Sequence, residues 1–178
     1  AQVCGAVMAK GVEDTAFYRG SRLVSLQEVG GAPGRFGVSP AEFHLLQAER
    51  ARLWPKAMTT LTTHDTKRGE DVRSRISCIT ESAERFAELC DGIEYTDGGP
   101  CHFLLQNMIG VWPVDGNVSN ELRERLHAYA EKAMREAGVH TTWFDVNEEF
   151  ETSIHQWIDS TIDNHGEDIT AFVAEVAP

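Results

Sequence analysis

The heptapeptide Thr62-Thr63-His64-Asp65-Thr66-Lys67-Arg68 sets an imidazole beside a carboxylate, at the end of a threonine-rich run and ahead of a basic pair. At the C-terminal end of a strand in a β/α barrel, such a pair projects into the cleft where barrel enzymes do their chemistry. The same residues also suit a helix N-terminus, with Asp65 accepting from the first backbone amides. A second cluster is Lys10-Gly11-Val12-Glu13-Asp14-Thr15-Ala16-Phe17-Tyr18-Arg19. Ionisable groups beside small and aromatic residues fit a polar pocket. They fit equally a solvated helix whose internal ion pairs are worth a few tenths of a kcal/mol each. Other catalytic signatures are absent: there is no HExxH, no Gly-x-Ser-x-Gly and no phosphate-binding loop. The seven histidines are dispersed, so neither a metal nor a cofactor is implied. Trp54, Trp112, Trp143 and Trp157 read as core residues rather than as platforms for stacking sugars.

The elements that must position these residues divide into two zones, 1–66 and 67–178. The first is rich in Gly, Thr and turn residues. It opens with a short helical candidate, Val3 to Lys10, and continues to a possible short strand, Arg22 to Leu26. The breaker-rich stretch 30–37 follows as a loop. Ser39, Pro40 and Glu42 form an N-cap, a first helical residue and a capping-box partner. They predict a helix that runs to about Trp54 and stops at Pro55. Ala57 to Thr63 favours a buried strand, because branching at Cβ suits extended backbone.

The second zone reads as consecutive helices. Val72, Ile76 and Ile79 share one face, as do Phe86, Leu89, Cys90 and Ile93. Phe103 to Trp112 is nearly all apolar and predicts a central buried helix closed by Pro113. Leu122, Leu126, Tyr129, Ala130, Ala133, Met134 and Ala137 stripe a longer helix that Gly138 can end. Two further stripes are Phe150, Ile154, Trp157, Ile158, Thr161 and then Ile169, Phe172, Val173, Val176. Packed together, these give a mainly α fold, a helical bundle with a few short strands.

Composition narrows the partners. The chain has 178 residues, long enough for a real core in one or two compact units. Its net charge of −12, from 28 acidic against 16 basic residues, opposes nucleic acid and anionic membranes but not a neutral ligand. No run reaches the length of a membrane span. Four cysteines without metal-ligand spacing predict free thiols in a cytoplasmic protein. The opening Ala1-Gln2-Val3-Cys4-Gly5 has neither an initiator Met nor a signal pattern, which predicts a segment of something longer.

Taken in order, several strings resemble the maltooligosyltrehalose synthases of the α-amylase superfamily. They are Ala9 to Arg19, Glu28-Val29-Gly30-Gly31, Phe43-His44 and Leu61 to Arg73, then His140-Thr141-Thr142-Trp143 and Asn147 to Glu151. Gly69 and Phe150 stand where that family often has Ser and Tyr. The resemblance implies a fragment of a larger (β/α) barrel enzyme, with residues 1–66 derived from the barrel and 67–178 a helical domain. It implies that Asp65 is the third catalytic carboxylate and that His64 binds the same sugar. Lys10 and Glu13 would line a neighbouring subsite, with Lys67 and Arg68 near its rim. The implied substrate is a maltooligosaccharide, and the implied reaction turns its reducing-end α-1,4 bond into an α,α-1,1 bond. No residue here matches the superfamily's nucleophilic Asp or acid/base Glu, so both are expected in the remainder of the parent enzyme. The isolated chain is then expected to be inactive. Two other readings share part of this pattern: an α-amylase-like hydrolase, and a non-catalytic helical module that binds a glycan or a partner.

Overall fold

A computed structural model describes residues 2–20 and 22–176. A first helical run comprises α1 (Gln2–Ala6), a π-helical stretch Val7–Ala16 and α2 (Phe17–Arg19). A 3-10 turn, Val24–Leu26, follows, and then α3 (Pro40–Leu53). The rest is α4 (Glu70–Cys78), a 3-10 turn Ile79–Glu81, α5 (Ala83–Gly92), α6 (Gly98–Val111), α7 (Asn120–Ala137) and α8 (Glu148–Val176).

Helix α6 is the axis of the core and packs on α4, α7 and α8. Its apolar run leaves no polar face, and every residue from Phe103 to Gly110 is buried. A fully buried Leu, Ile or Phe side chain contributes roughly 1.5–3 kcal/mol, so this helix alone supplies a large share of the driving force. The α4–α6 crossing is close because position 110 is glycine. A Cβ there would lie 2.7 Å from Val72 Cγ1 and 3.0 Å from Ile76 side-chain atoms. Gly110→Ala should therefore cost about 1–3 kcal/mol by overpacking, read as a lower urea midpoint with an unchanged m-value.

Helix ends follow the sequence. Ser39 and Ser119 accept hydrogen bonds from the amides of Glu42 and Leu122, and Gly138 ends α7 in the left-handed region at φ 59°. Elsewhere the structure corrects the expectation. Neither predicted strand forms, and among the described residues there is no strand at all. Val24–Leu26 is a 3-10 turn and Ala57–Thr63 has no regular structure. Strand propensity needs a neighbouring ladder to be realised, and these segments have none. The last two apolar stripes belong to the single helix α8, since no proline separates them. Gly166 is tolerated mid-helix beneath the Trp112 ring, 3.7 Å from where its Cβ would lie. Trp112 and Trp157 are buried as expected, but Trp54 and Trp143 are 69% and 52% exposed.

The turn between α7 and α8 is locked by a buried carboxylate. Glu151 takes a bidentate pair from Arg135 at 2.8 and 2.6 Å and the Thr141 hydroxyl at 2.7 Å. The hydrogen bonds from Arg135 hold the Glu151 carboxyl below its ordinary value; burial opposes them and the Thr141 hydroxyl assists. A depressed folded-state pKa contributes stability that is complete above the unfolded value near 4.5 and is lost as pH falls through the folded value. Glu151→Gln should thus be less stable at neutral pH. It should also lose less stability than the parent chain on acidification below about pH 4.5, as urea midpoints measured across pH will show.

Candidate active-site loop

The loop 62–69 reaches its position through one buried acid. Glu28 is 7% exposed. Its Oε1 accepts from the amides of Lys67 at 2.7 Å and Val29 at 2.8 Å, and its Oε2 accepts from the amide of Arg68 at 3.1 Å. Ahead of this clamp, Thr63 and Thr66 close a tight turn. The Thr66 hydroxyl donates to the Thr63 carbonyl at 2.7 Å, and the Thr63 hydroxyl accepts from the Asp65 amide at 3.3 Å. Behind it, the Glu70 amide donates to the Thr62 hydroxyl at 3.1 Å, and that hydroxyl donates to the Glu70 carboxylate.

His64 and Asp65 occupy the tip of this turn, with side chains 91% and 73% exposed and His64 Nε2 3.5 Å from Asp65 Oδ2. Asp65 does not cap the next helix. The N-cap of α4 is Gly69, with no side-chain cap. The carboxylate is thus held by its backbone and left open toward solvent.

The Lys10-to-Arg19 cluster is helical, and its π-type winding carries the Thr15 hydroxyl to the Lys10 carbonyl at 2.8 Å. Asp14 joins this helix to the loop. It pairs with Lys10 and with Lys67, each at 2.5 Å. Burial pushes the Asp14 carboxyl up, but hydrogen bonds from the two lysines outweigh it and hold it below its ordinary value. The Lys67 ammonium also lies over the Tyr18 ring, 5.4 Å from its centroid. Glu13 accepts from the Gly30 amide at 2.9 Å. The cluster is therefore a cross-strut and more than a solvated helix face.

Arg68 lies inside the protein, 7% exposed. Its guanidinium donates to Asn107 Oδ1 at 2.6 Å, the Gln27 carbonyl at 3.3 Å and the Tyr129 hydroxyl at 3.3 Å, and it stacks on Phe103. These contacts tie the loop to α6 and α7.

The structure thus brings together Lys10, Glu13, Lys67 and Arg68 around the base of the loop, and sets His64 and Asp65 apart at its tip. Asp14 and Glu28, which organise the group, lie within strings that carry the resemblance, but neither was given a role from sequence. Asp14 could have been found from its i,i+4 spacing to Lys10. For Glu28 only membership of the Glu28-Val29-Gly30-Gly31 string stood out, because two of its three partners lie 39 and 40 residues on. Within this group of acids, Asp14 is taken by two ammonium groups, Glu28 by three amides and Glu70 by Thr62. The Asp65 carboxylate, 73% exposed, meets only the His64 imidazole among the described residues. No group of three or more His, Cys, Asp and Glu among the described residues is arranged to hold a metal ion. No described helix is long and apolar enough to cross a membrane.

Compared with models of known families, the chain matches none. It is 53% identical over 180 residues to a Mycobacterium tuberculosis protein named as a maltooligosyl trehalose synthase. That alignment covers 98% of this chain and 24% of the relative. The solved maltooligosyltrehalose synthase of Arthrobacter ramosus is 43% identical, with a TM-score of 0.87 over 98% of this chain and 23% of that one. A structure from Sulfolobus tokodaii, described as a hypothetical maltooligosyl trehalose synthase, is 34% identical, with a TM-score of 0.82 over 98% of this chain and 25% of that one. The chain thus spans about a quarter of the length of the relatives it matches. In sequence and in fold, over nearly its whole length, it is a relative of a segment of the maltooligosyl trehalose synthases.

Proposed function

We propose that this chain is the part of an intramolecular transglycosylase that presents Asp65 and His64 to a maltooligosaccharide. In this reaction, the glycosidic bond from C1 of the penultimate glucose to O4 of the reducing-end glucose breaks. The maltooligosyl part passes to an enzyme carboxylate as O4 takes up a proton. O1 of the released glucose then attacks the same carbon and gives up its proton, which forms an α,α-1,1 bond and frees the carboxylate. The nucleophilic Asp and acid/base Glu belong to the remainder of the longer enzyme. Asp65 hydrogen-bonds the sugar hydroxyls beside the reacting carbon, and it does so better in the flattened, oxocarbenium-like ring than in the relaxed one. His64 binds the same sugar. Lys10, Lys67 and Glu13 border the neighbouring subsite. Arg68, buried, serves as a positioning residue for the loop.

The observation that carries this reading is the exposed carboxylate of Asp65, beside His64 at the tip of a loop clamped by Glu28, in a chain 53% identical to a protein named as such a synthase. The division at residue 66 is part of the proposal, with 1–66 derived from the barrel and 67–178 a helical support. So is a cytoplasmic location, which four free thiols suit. Helix α3 supports the need for a larger partner surface. None of its residues is buried, and Phe43, Leu46, Leu53, Trp54, Met58 and Leu61 on and after it are exposed. An apolar surface of that extent marks an interface; the occupant we assign is the rest of the barrel.

The test is proton NMR of maltohexaose incubated with the full-length parent. An α,α-1,1 anomeric signal appearing at the expense of reducing-end signals is the expected result. Glucose and shortened chains as the main products would assign the chain to a hydrolase instead.

A further inference from the structure

A cavity of about 160 Å³ lies between α2 and the turn that follows α7. Its walls combine Tyr18 and Arg19 with Met134, Val139, His140 and Phe150. This is smaller than the roughly 300 Å³ at which pockets for drug-sized ligands begin, so it suits one ring of a larger ligand.

The polar groups on its walls are fixed in advance. Arg19 is anchored by Nε donating to the Ala137 carbonyl at 2.6 Å. His140 pairs with Asp97 at 3.1 Å and stacks on Phe150 with ring centroids 4.7 Å apart. The turn carrying His140 is held by the Glu151 lock. Tyr18 differs from these. It is only 6% exposed, and its hydroxyl has no hydrogen-bond partner among the described residues. Nor is that oxygen among the fully buried atoms without a partner, and Tyr18 is one of the residues that line the cavity. Burial pushes its pKa up to about 12, which keeps the group a neutral donor and acceptor. A nearly buried hydroxyl without a partner is a cost that a ligand can remove.

We infer that this cavity holds one glucosyl unit of a neutral α-glucan, hydrogen-bonded by Tyr18 and Arg19 and packed on Phe150 and Val139. The chemistry of the walls selects this class. Apolar surface faces the C–H side of a pyranose, and neutral or shared donors meet its hydroxyls. The net charge of −12 does not repel an uncharged sugar. The cavity also adjoins the loop site, because the Tyr18 ring that lines it carries the Lys67 ammonium on its face. The choice of glucan rests on the function proposed above.

Isothermal titration of the 178-residue chain with maltotriose, glucose and inorganic phosphate tests the assignment. Tyr18→Phe keeps the ring and removes only the hydroxyl. Val139→Phe narrows the mouth at a residue 60% exposed, without touching the core. Saturable maltotriose binding, weakened about fivefold by Tyr18→Phe as for one lost hydrogen bond and weakened at least as much by the narrowed mouth of Val139→Phe, is the expected result. Absence of sugar binding by a chain that circular dichroism shows to be folded overturns it. So does binding that both variants leave unaltered, or binding of phosphate in place of sugar. The activity of the longer enzyme is read from its products, so failure of either idea leaves the other standing.

Discussion

In the longer enzyme, Asp65→Asn should lower the rate of trehalose-linked product formation by about a thousandfold, with circular dichroism and thermal midpoint unchanged. The expected size follows from the role proposed for the carboxylate. Removing one preorganised group that meets developing charge costs about 10²–10³ in turnover, and a carboxylate facing an oxocarbenium-like ring belongs at the upper end. Stability should be spared because the Asp65 side chain is 73% exposed and, among the described residues, pairs with His64 alone. An exposed pair of that kind is worth ~0–1 kcal/mol at most. The split between turnover and affinity is informative. A group that acts mainly on the distorted ring lowers kcat far more than it raises KM. A variant whose KM rises while kcat holds would assign Asp65 to uniform substrate binding.

Glu28→Ala, more than 35 residues from the loop tip in sequence, should be the most damaging single change to the loop itself. The carboxylate satisfies three backbone amides, those of Val29, Lys67 and Arg68. Hydrogen bonds to a charged acceptor contribute about 1.5–3 kcal/mol each, and water entering the vacated space restores part of that. A net loss of about 2–4 kcal/mol is expected, read as a lower urea midpoint. Amide exchange at Lys67 and Arg68 should accelerate well beyond the change at α6, whose core packing is untouched. Glu28→Gln, which keeps acceptor oxygen on one side only, should fall between. If exchange at those two amides stayed slow in Glu28→Ala, the clamp would not be what holds the loop.

Much of the helical half was legible because its signals are local. The capping serines at 39 and 119, the glycine after α7 and the apolar run of α6 all act within a turn or two of the residue they govern. The predicted strands failed for the opposite reason. Threonine and β-branched residues in Ala57–Thr63 favour extended backbone only when a neighbouring ladder takes up their amides and carbonyls. No described segment provides one. The tryptophans show the same limit. Size and hydrophobicity do not distinguish Trp112, buried with its indole N–H on Thr170, from Trp143, which stands outside beneath Arg135.

The loop site was legible in its exposed part and illegible in its support. By type and spacing His64-Asp65 and the Lys10-to-Arg19 string left other readings open, and it was their order along the chain, as a resemblance, that marked them. The residues that hold them in place come from distant positions. Asp14 spans to Lys67 across 53 residues, and Arg68 reaches Asn107 across 39 and Tyr129 across 61. Arg68 is the instructive case. The resemblance implies for it a place near the rim of a subsite, yet its three hydrogen bonds place it at the junction of the loop with α6 and α7. Only the closed fold separates its structural task from the exposed one of Asp65.

Whether Asp65 meets the sugar is decided by a crystal structure of the Asp65→Asn full-length enzyme with maltohexaose bound. The reducing-end portion of the sugar should lie against the loop tip, with the residue 65 side chain hydrogen-bonded to hydroxyls beside the reacting carbon and His64 on the same ring. A maltohexaose bound elsewhere, with the loop tip 62–66 still open to solvent, would contradict it.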